Sequence, residues 1–241
     1  MDEGEPIKLD LRQEGKVKRI FESSDPDLFI VEYKDEGASS EDEEGGSTVS
    51  RGAVSNAISA HVFTHLTAEG IPTHFVKQLS DREQLVHAVD IIPVDVKVRN
   101  AAAGSFAGRH GLKEGEPLHP TVVEWYVRSD GLEPAPMSED VVAALGYVSE
   151  SELDELKRLT HRINDVLTLF FAERQMRLVD FRLRFGKTRE GKIIVADELS
   201  PDTCRLWDME TGGGQDQSRI RRELRDVQDA YQEIFKRVVG Q

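Results

Sequence analysis

The sequence predicts an α+β fold. Segments with strand periodicity lead the chain, the longest helix-periodic stripes come late, and no regular βαβ alternation of the kind a doubly wound sheet requires is present. The 241 residues suit one large domain or two intimate lobes. Only 38% of residues are apolar, yet clean periodicity recurs along the chain, so a packed core is expected rather than disorder.

In chain order, residues 15–21 (GKVKRIF) read as a glycine followed by a strand with Lys16 and Lys18 on one face. Residues 28–33 (LFIVEY) read as its partner, ending at Lys34-Asp35, with SSDPD between as turn chemistry. Residues 36–47 are acidic and Gly/Ser-rich, a loop by composition. Val54, Ile58, Val62 and Leu66 recur every four residues and predict a helix over 53–69, capped by Gly70 and stopped by Pro72. Ser80-Asp81-Arg82-Glu83 has capping-box spacing and predicts a short helix through Val89. Residues 91–99 alternate as a strand, with Val94, Val96 and Val98 on one face and Asp95, Lys97 and Arg99 on the other; Pro93 marks that end as an edge or hinge. Residues 100–112 are small and glycine-broken, a loop near Arg99 and Arg109. Residues 121–128 are a further strand, followed by a Pro-rich loop to Met137. A second capping box at Ser149–Glu152 opens the longest helix, with Leu153, Leu156, Leu159, Ile163, Val166, Leu167, Phe170 and Phe171 as its stripe. After a Gly212–Gly214 loop, Ile220, Leu224, Val227, Tyr231, Ile234, Phe235 and Val238 mark a C-terminal helix.

The most informative segment is 178–208. Val179, Phe181, Leu183 and Phe185 alternate with Asp180, Arg182 and Arg184, and a second strand, Ile193–Ala196, ends at Asp197-Glu198. Gly186 and Gly191 bracket the hairpin connection. Carboxylates at a strand end can hold Mg²⁺, and arginines bind phosphates and carboxylates bidentately. That combination fits a nucleotide-dependent enzyme with anionic substrates; a surface hairpin with scattered charges has the same pattern.

Composition narrows the partners. The net charge is −14, with 11 Lys against 20 Arg, a balance that suits a protein dissolved in concentrated salt as well as an ordinary acidic one. Such a surface argues against duplex nucleic acid as partner. The single cysteine, Cys204, fits a reducing cytoplasm. With no apolar run of spanning length and a charged opening stretch, no membrane association is expected.

Several residues invite a chemical reading and a plainer one. Lys16 and Lys18 could clamp phosphates or simply be solvated; neither GxxxxGK[ST] nor GxGxxG occurs. Arg99 with the AAAGS loop could bind phosphate through its guanidinium, the Ser105 hydroxyl and loop amides, or be a salt-bridged arginine at a helix start. His61 and His65 have metal spacing without an evident third ligand and are expected to flank the packed stripe. Cys204 has no histidine helper and is not expected to be a nucleophile. Arg219, Arg221, Arg222 and Arg225 read as a solvated helical face.

RNAAAGS at 99–105, LVDFRLRFG at 178–186 and ADELSPDTCRLWD at 196–208 closely resemble SAICAR synthetases. GKVKRIF, GIPTHFVKQLSDREQ at 70–84 and DVQDAYQE at 226–233 extend the resemblance over nearly the whole chain from about residue 15. The resemblance implies a small β-rich lobe over 1–90 and a larger α+β lobe over 91–241, related to kinase and ATP-grasp architectures, with ATP between them. It implies an ATP-dependent ligase of purine biosynthesis. ATP phosphorylates the carboxylate of carboxyaminoimidazole ribonucleotide (CAIR), and the amine of L-aspartate displaces the phosphate. ATP and Mg²⁺ are the implied cofactors, and a homodimer is the implied assembly. By motif match Gly15, Lys16, Lys18 and Lys34 resemble the ATP phosphate loop and Ile91 and Asp95 the hinge meeting adenine and ribose. Arg99, Ser105, Asp202 and Arg205 resemble the ribonucleotide site, and Asp180, Arg182 and Asp197 the catalytic face. Asp197 and Glu198 resemble the metal ligands.

Three departures stand out. The family motif reads DFKLEFG, with a metal-holding glutamate where this chain has Arg184, and an arginine cannot ligate Mg²⁺. A DATAFNG-like segment and GKG are replaced by EGASSEDEEGG and Ser50-Arg51-Gly52. The 129–137 loop lacks the usual Asp-Pro pair. These departures leave a small-molecule phosphotransferase and a non-catalytic nucleotide-binding paralogue as alternatives.

Overall fold

The computed structural model describes residues 5–35, 50–127, 135–209 and 227–240. Two antiparallel sheets organise it. The first comprises β1 (Lys8–Glu14), β2 (Lys18–Ser23), β3 (Leu28–Tyr33), β4 (Phe75–Gln78) and β5 (Glu83–His87), in the order β1-β2-β3-β5-β4. The second comprises β6 (Asp90–Ala101), β7 (Pro117–Val127), β8 (Pro136–Met137), β9 (Met176–Lys187), β10 (Ile193–Ala196) and β11 (Cys204–Asp208). Its order is β10-β9-β6-β7-β8, with β11 also pairing β9. The helices are α1 (Arg51–Ala68), α2 (Gly104–His110), α3 (Glu139–Ala144), α4 (Glu150–Ala172) and α5 (Val227–Val238).

The core follows from the two periodicities. Val94, Val96 and Val98 of β6 and Phe181, Leu183 and Phe185 of β9 are buried on one face of the second sheet. Against them pack the α1 stripe (Val54, Ile58, Val62, Leu66) and the α4 stripe (Leu153, Leu156, Leu159, Ile163, Leu167, Phe170, Phe171). α1 begins at Arg51, earlier than its stripe indicated, with Ser50 as N-cap accepting from the Ala53 amide at 3.2 Å, and Ser149 with Glu152 forms the reciprocal capping box its sequence predicts. His61 and His65 flank the stripe against the Phe170 ring, with centroids 6.0 and 4.7 Å away. No described helix is long and apolar enough to cross a membrane.

The structure corrects several expectations. Residues 83–87 are strand β5, not a helix. The Ser80–Glu83 quartet closes a hairpin instead, the amides of Leu79 and Ser80 donating to the Glu83 carbonyl at 2.8 and 3.3 Å and that of Arg82 to Ser80 Oγ at 3.3 Å. Gln84, Leu85 and Val86 are all buried because β5 lies between β3 and β4, which erases the two-residue period. Residues 104–110, expected as loop, form α2. Lys16 lies exposed in the turn before β2, so it does not share a strand face with Lys18. Strands β1, β4, β8 and β11 and helix α3 are additional. Pro93 falls at a pairing irregularity between Ile91 and Asp95, ahead of the first β6–β7 pair at Val94, where a missing amide costs no ladder bond on that side. The 36–47 loop, the Gly212–Gly214 loop, Ile220, Leu224, Arg219, Arg221, Arg222 and Arg225 lie outside the described residues, as does most of the 129–137 loop.

Gly52 marks where the end of β3 crosses the start of α1. A Cβ there would lie 2.8 Å from the Lys34 carbonyl oxygen, 2.9 Å from Asp35 Oδ1 and 3.1 Å from the Tyr33 carbonyl oxygen. The Gly52 amide donates to Asp35 Oδ1 at 3.1 Å, and Arg82 holds the other Asp35 oxygen at 2.6 Å. Gly52→Ala is expected to cost about 1–3 kcal/mol, read as a fall of several degrees in Tm. An unchanged melt would show that this crossing is not tight.

Candidate active site

The polar face of the second sheet is a grid set by strand register. Asp95 of β6 lies opposite Arg184 of β9, Lys97 opposite Arg182, and Arg99 opposite Asp180. On the far side of β6, Tyr126 and Glu124 of β7 face Asp95 and Lys97; on the far side of β9, Arg205 of β11 faces Asp180. Because side chains alternate along each strand, this face is charged while its reverse is the apolar core. Cross-strand neighbours of opposite charge pair directly.

One end of the grid meets the first sheet. Lys18 is ion-paired to Asp197 and lies 3.7 Å from Glu198. Arg184 donates to both Asp95 oxygens, at 2.8 and 3.2 Å, and its Nη1 sits 3.1 Å from Asp197 Oδ2. Arg182 lies 3.8 Å from both Asp95 and Asp197. Asp197 has φ +70°, a left-handed conformation that Asp enters more readily than most residues and that costs on the order of 1–3 kcal/mol. That turn ends β10 and leaves the carboxylate among the cations.

The electrostatics separate the two adjacent acids. Burial opposes ionisation of Asp197, but the charges of Lys18 and Arg184 outweigh it and hold the carboxyl well below the usual range. Burial pushes the Glu198 carboxyl up, with the neighbouring Asp197 and Asp202 charges adding to the effect. Burial alone would lower Lys18; the Asp197 and Glu198 carboxylates hold its ammonium above the ordinary value.

The other end of the grid centres on Asp180. Arg205 lies 3.2 Å from it, Lys97 3.6 Å and Arg99 3.8 Å. Arg99 also donates to Glu124 at 2.6 Å and stacks over the Phe106 ring, 4.6 Å from its centroid. Gly104, at φ +56°, leaves room for the Arg205 guanidinium, which a Cβ would meet at 3.3 Å. Burial lowers Lys97, only partly offset by Asp180.

Most of the motif residues are therefore brought together, and some are not. Lys34 pairs with Glu14 at 3.0 Å and donates to the Gly15 carbonyl at 3.3 Å, tying the phosphate-loop candidates to each other. Ser105 lies exposed in the first turn of α2, beside Gly104, and Ile91 is partly exposed opposite Gly186. Asp202 stands apart from the grid, held by Arg51, by Tyr231 Oη at 2.7 Å and by Ser55 at 3.4 Å. Lys97, Glu124, Arg51 and Tyr231 were not singled out as site residues. Lys97 and Glu124 sit on polar phases of alternating strands, but only the β6–β7–β9 register shows that they converge. Cys204 is buried and its thiol is pushed up to about 12 by burial, in keeping with no nucleophilic role.

His74 joins the sheets beneath this face. Its amide donates to the Val195 carbonyl at 2.9 Å, its carbonyl accepts from His87 at 2.6 Å, and its ring meets Phe63 edge-on at 4.9 Å. Burial, then the Lys18 charge, push it down to about 3. A base with a lowered folded pKa stabilises the fold above its unfolded pKa of about 6.5 and loses that contribution as pH falls towards 3. The denaturant midpoint is expected to drop across that window by about one proton's worth, roughly 1.4 kcal/mol per pH unit. His74→Gln should flatten the dependence; an unchanged slope would show that His74 is not the group responsible.

Comparison with known proteins bears on what this face handles. A family model described as SAICAR synthetase matches residues 11–238. The phosphoribosylaminoimidazole-succinocarboxamide synthase of Deinococcus radiodurans is 47% identical over 229 residues, covering 95% of this chain and 97% of the relative. Among solved structures, the enzyme of that name from Ehrlichia chaffeensis superposes with a TM-score of 0.84 at 35% identity, covering 95% of this chain and 98% of that one. A SAICAR synthetase in complex with ADP superposes at 0.83 with 33% identity, covering 95% and 97%.

Proposed function

The chain belongs to the SAICAR synthetase family, and on that basis we propose how its cleft carries out the ATP-dependent joining of L-aspartate to CAIR in purine biosynthesis. The observation that carries the reading is the meeting of Lys18, from the first sheet, with Asp197, Arg184 and Arg182 of the second. Nucleotide lies between the lobes 1–90 and 91–241, its phosphates towards Lys18 and the loop of Gly15, Lys16 and Lys34, its base and ribose towards Ile91 and Asp95. The ribonucleotide lies at the other end of the grid, its anionic groups towards Arg99, Arg205 and Ser105, with Asp202 at the margin.

A carboxylate is a poor acyl donor at neutral pH. Attack of a CAIR carboxylate oxygen on the γ-phosphorus breaks the bond to ADP and forms an acyl phosphate. The neutral aspartate amine then forms the C–N bond as phosphate leaves with that oxygen. The protein's task is to position four anionic groups and neutralise them. Lys18, Lys97, Arg99, Arg182, Arg184 and Arg205 supply six cations, each lying within 4 Å of at least one of the carboxylates of Asp95, Glu124, Asp180 and Asp197. Incoming phosphates exchange with those carboxylates, so the cations need not be stored as unpaired buried charges.

Mg²⁺ would neutralise the β- and γ-phosphate oxygens and polarise the transferred group. Of the two expected ligands, Asp197 and Glu198, Glu198 would meet such an ion, since both Asp197 oxygens already face Lys18 or Arg184 and the Glu198 Oε2 accepts no hydrogen bond. No group of three or more acids, histidines or cysteines among the described residues could hold it alone. That donor set fits an ion carried in on the nucleotide, since Mg²⁺ commonly takes one or two carboxylates plus phosphates.

The net charge of −14 and the Lys-poor composition support a cytoplasm of high salt, and edge strand β1, with Leu9 and Leu11 exposed and Ile7 exposed just before it, is a surface that would favour a homodimer. Sedimentation and circular dichroism across a KCl series test both. Loss of structure near ~0.1 M salt is expected, because acidic repulsion is least screened there; full retention there would remove the salt requirement, and a monomer throughout would remove the dimer.

ADP release with ATP, Mg²⁺ and CAIR, with and without L-aspartate, tests the function. ADP that requires both partners, with the succinocarboxamide formed, is expected. Aspartate-independent ADP would instead indicate phosphotransfer, and folded protein giving none would indicate a non-catalytic paralogue.

A further inference from the structure

Asp95 of β6 and Asp197 at the end of β10 flank β9 on the same face of the second sheet, a spacing at which two carboxylates can share a divalent cation. Here the charge between them belongs to the chain. The Arg184 guanidinium turns Nε and Nη2 to the two oxygens of Asp95, at 2.8 and 3.2 Å, and Nη1 to Asp197 Oδ2 at 3.1 Å. Asp197 Oδ1 is taken by Lys18, and Arg182 adds a second guanidinium 3.8 Å from Oδ2. Each Asp197 oxygen therefore already faces a cation. A metal ion entering this space would have to displace Arg184, which is only 20% exposed and bound at three points.

We propose that Arg184 is a built-in cation standing where a protein-held metal ion would sit, so that the nucleotide-free cleft binds no divalent ion and takes up nucleotide with little dependence on one. A guanidinium suits the exchange. It stays charged at every working pH, sheds water more readily than an ammonium, and its planar fork can pass from the Asp95 carboxylate to a phosphate without losing two-point contact. A metal drawn in by phosphates can still bind outside this position. The inference rests on the cleft being a nucleotide site and is independent of whether ligation follows.

The test uses the whole chain and two binding titrations. Mn²⁺ is added to nucleotide-free protein and followed by electron paramagnetic resonance. No stoichiometric binding is expected up to about 1 mM, the upper range in which carboxylate cages still hold divalent ions. ADP is then titrated calorimetrically in EDTA and in Mg²⁺, and the two affinities are expected to agree within about tenfold. Arg184→Glu would place a third carboxylate beside Asp95 and Asp197, and should gain one Mn²⁺ while losing ADP affinity in EDTA. Arg184→Gln should lose metal-free ADP affinity without gaining Mn²⁺. One tightly bound Mn²⁺ in the unmodified protein, or ADP binding that vanishes in EDTA, would overturn the proposal even if neither variant folds. ADP binding in EDTA without any succinocarboxamide synthesis would instead count against the ligase reading and leave this one standing.

Discussion

Lys18→Met is expected to lower kcat by roughly 10²–10³-fold, the usual worth of a group stabilising transition-state charge, and to destabilise the protein at the same time. The two effects share one cause. Lys18 lies against Asp197 and 3.7 Å from Glu198, and all three side chains are largely buried. Without the ammonium the acid pair keeps Arg184 and Arg182 on the Asp197 side only, while Glu198 is already pushed towards its neutral form by burial. Removing one partner of a buried ion pair costs about 3–5 kcal/mol. Because Lys18 belongs to β2 and the acids follow β10, the loss also loosens the contact between the sheets. Thermal melts and steady-state kinetics of one preparation measure both. Wild-type kcat in a destabilised variant would make Lys18 a purely structural strut; wild-type stability would mean the pair is solvated.

Arg99→Met should act differently. It is expected to raise KM for CAIR on the order of 10²-fold, about 3 kcal/mol of charge-assisted contact, while KM for ATP changes little. Arg99 is buried, and its partners keep other contacts. Glu124 retains Arg109 at 3.5 Å and Tyr126 at 3.0 Å, and Asp180 retains Arg205 and Lys97. The fold should therefore suffer less than in the Lys18 variant, and the defect should fall on one substrate. Equal rises in both KM values would mean that the grid is a single undivided site.

The β9–β10 hairpin is legible in the sequence from Asp180 onward: Phe181, Leu183 and Phe185 share the core face, the turn glycines are in place, and Ile193 pairs with Lys187 as a short connection requires. Val179 departs from that face. A register shift against β11 interrupts the alternation there, so Leu178 joins the main core while Val179 packs with Ala101, Ala103 and Trp207. The same alternation marked Asp95, Lys97 and Arg99 as one polar face of β6. What alternation does not carry is which strands become neighbours. The convergence of Glu124 on Arg99, and of Lys18 on Asp197, depends on contacts across 25 and 179 residues of chain. Residues 80–89 depart from their sequence signal for a related reason. A Ser-x-x-Glu quartet satisfies backbone amides at a helix start or in a tight hairpin, and burial of β5 on both faces removed the period that would have decided between them. Arg184 was visible as a departure from the motif, but its role was not. Only the fold shows that it lies between two carboxylates instead of reaching solvent.

In the proposed reaction the cleft activates a carboxylate by phosphorylation and then hands it to an amine. CAIR carrying ¹⁸O in both carboxylate oxygens follows that path atom by atom. Phosphate released in the presence of ATP and L-aspartate should contain one ¹⁸O per turnover, because the oxygen that attacks the γ-phosphorus leaves with it. Unlabelled phosphate accompanying succinocarboxamide would contradict an acyl phosphate, and ADP formed at the same rate without L-aspartate would contradict ligation.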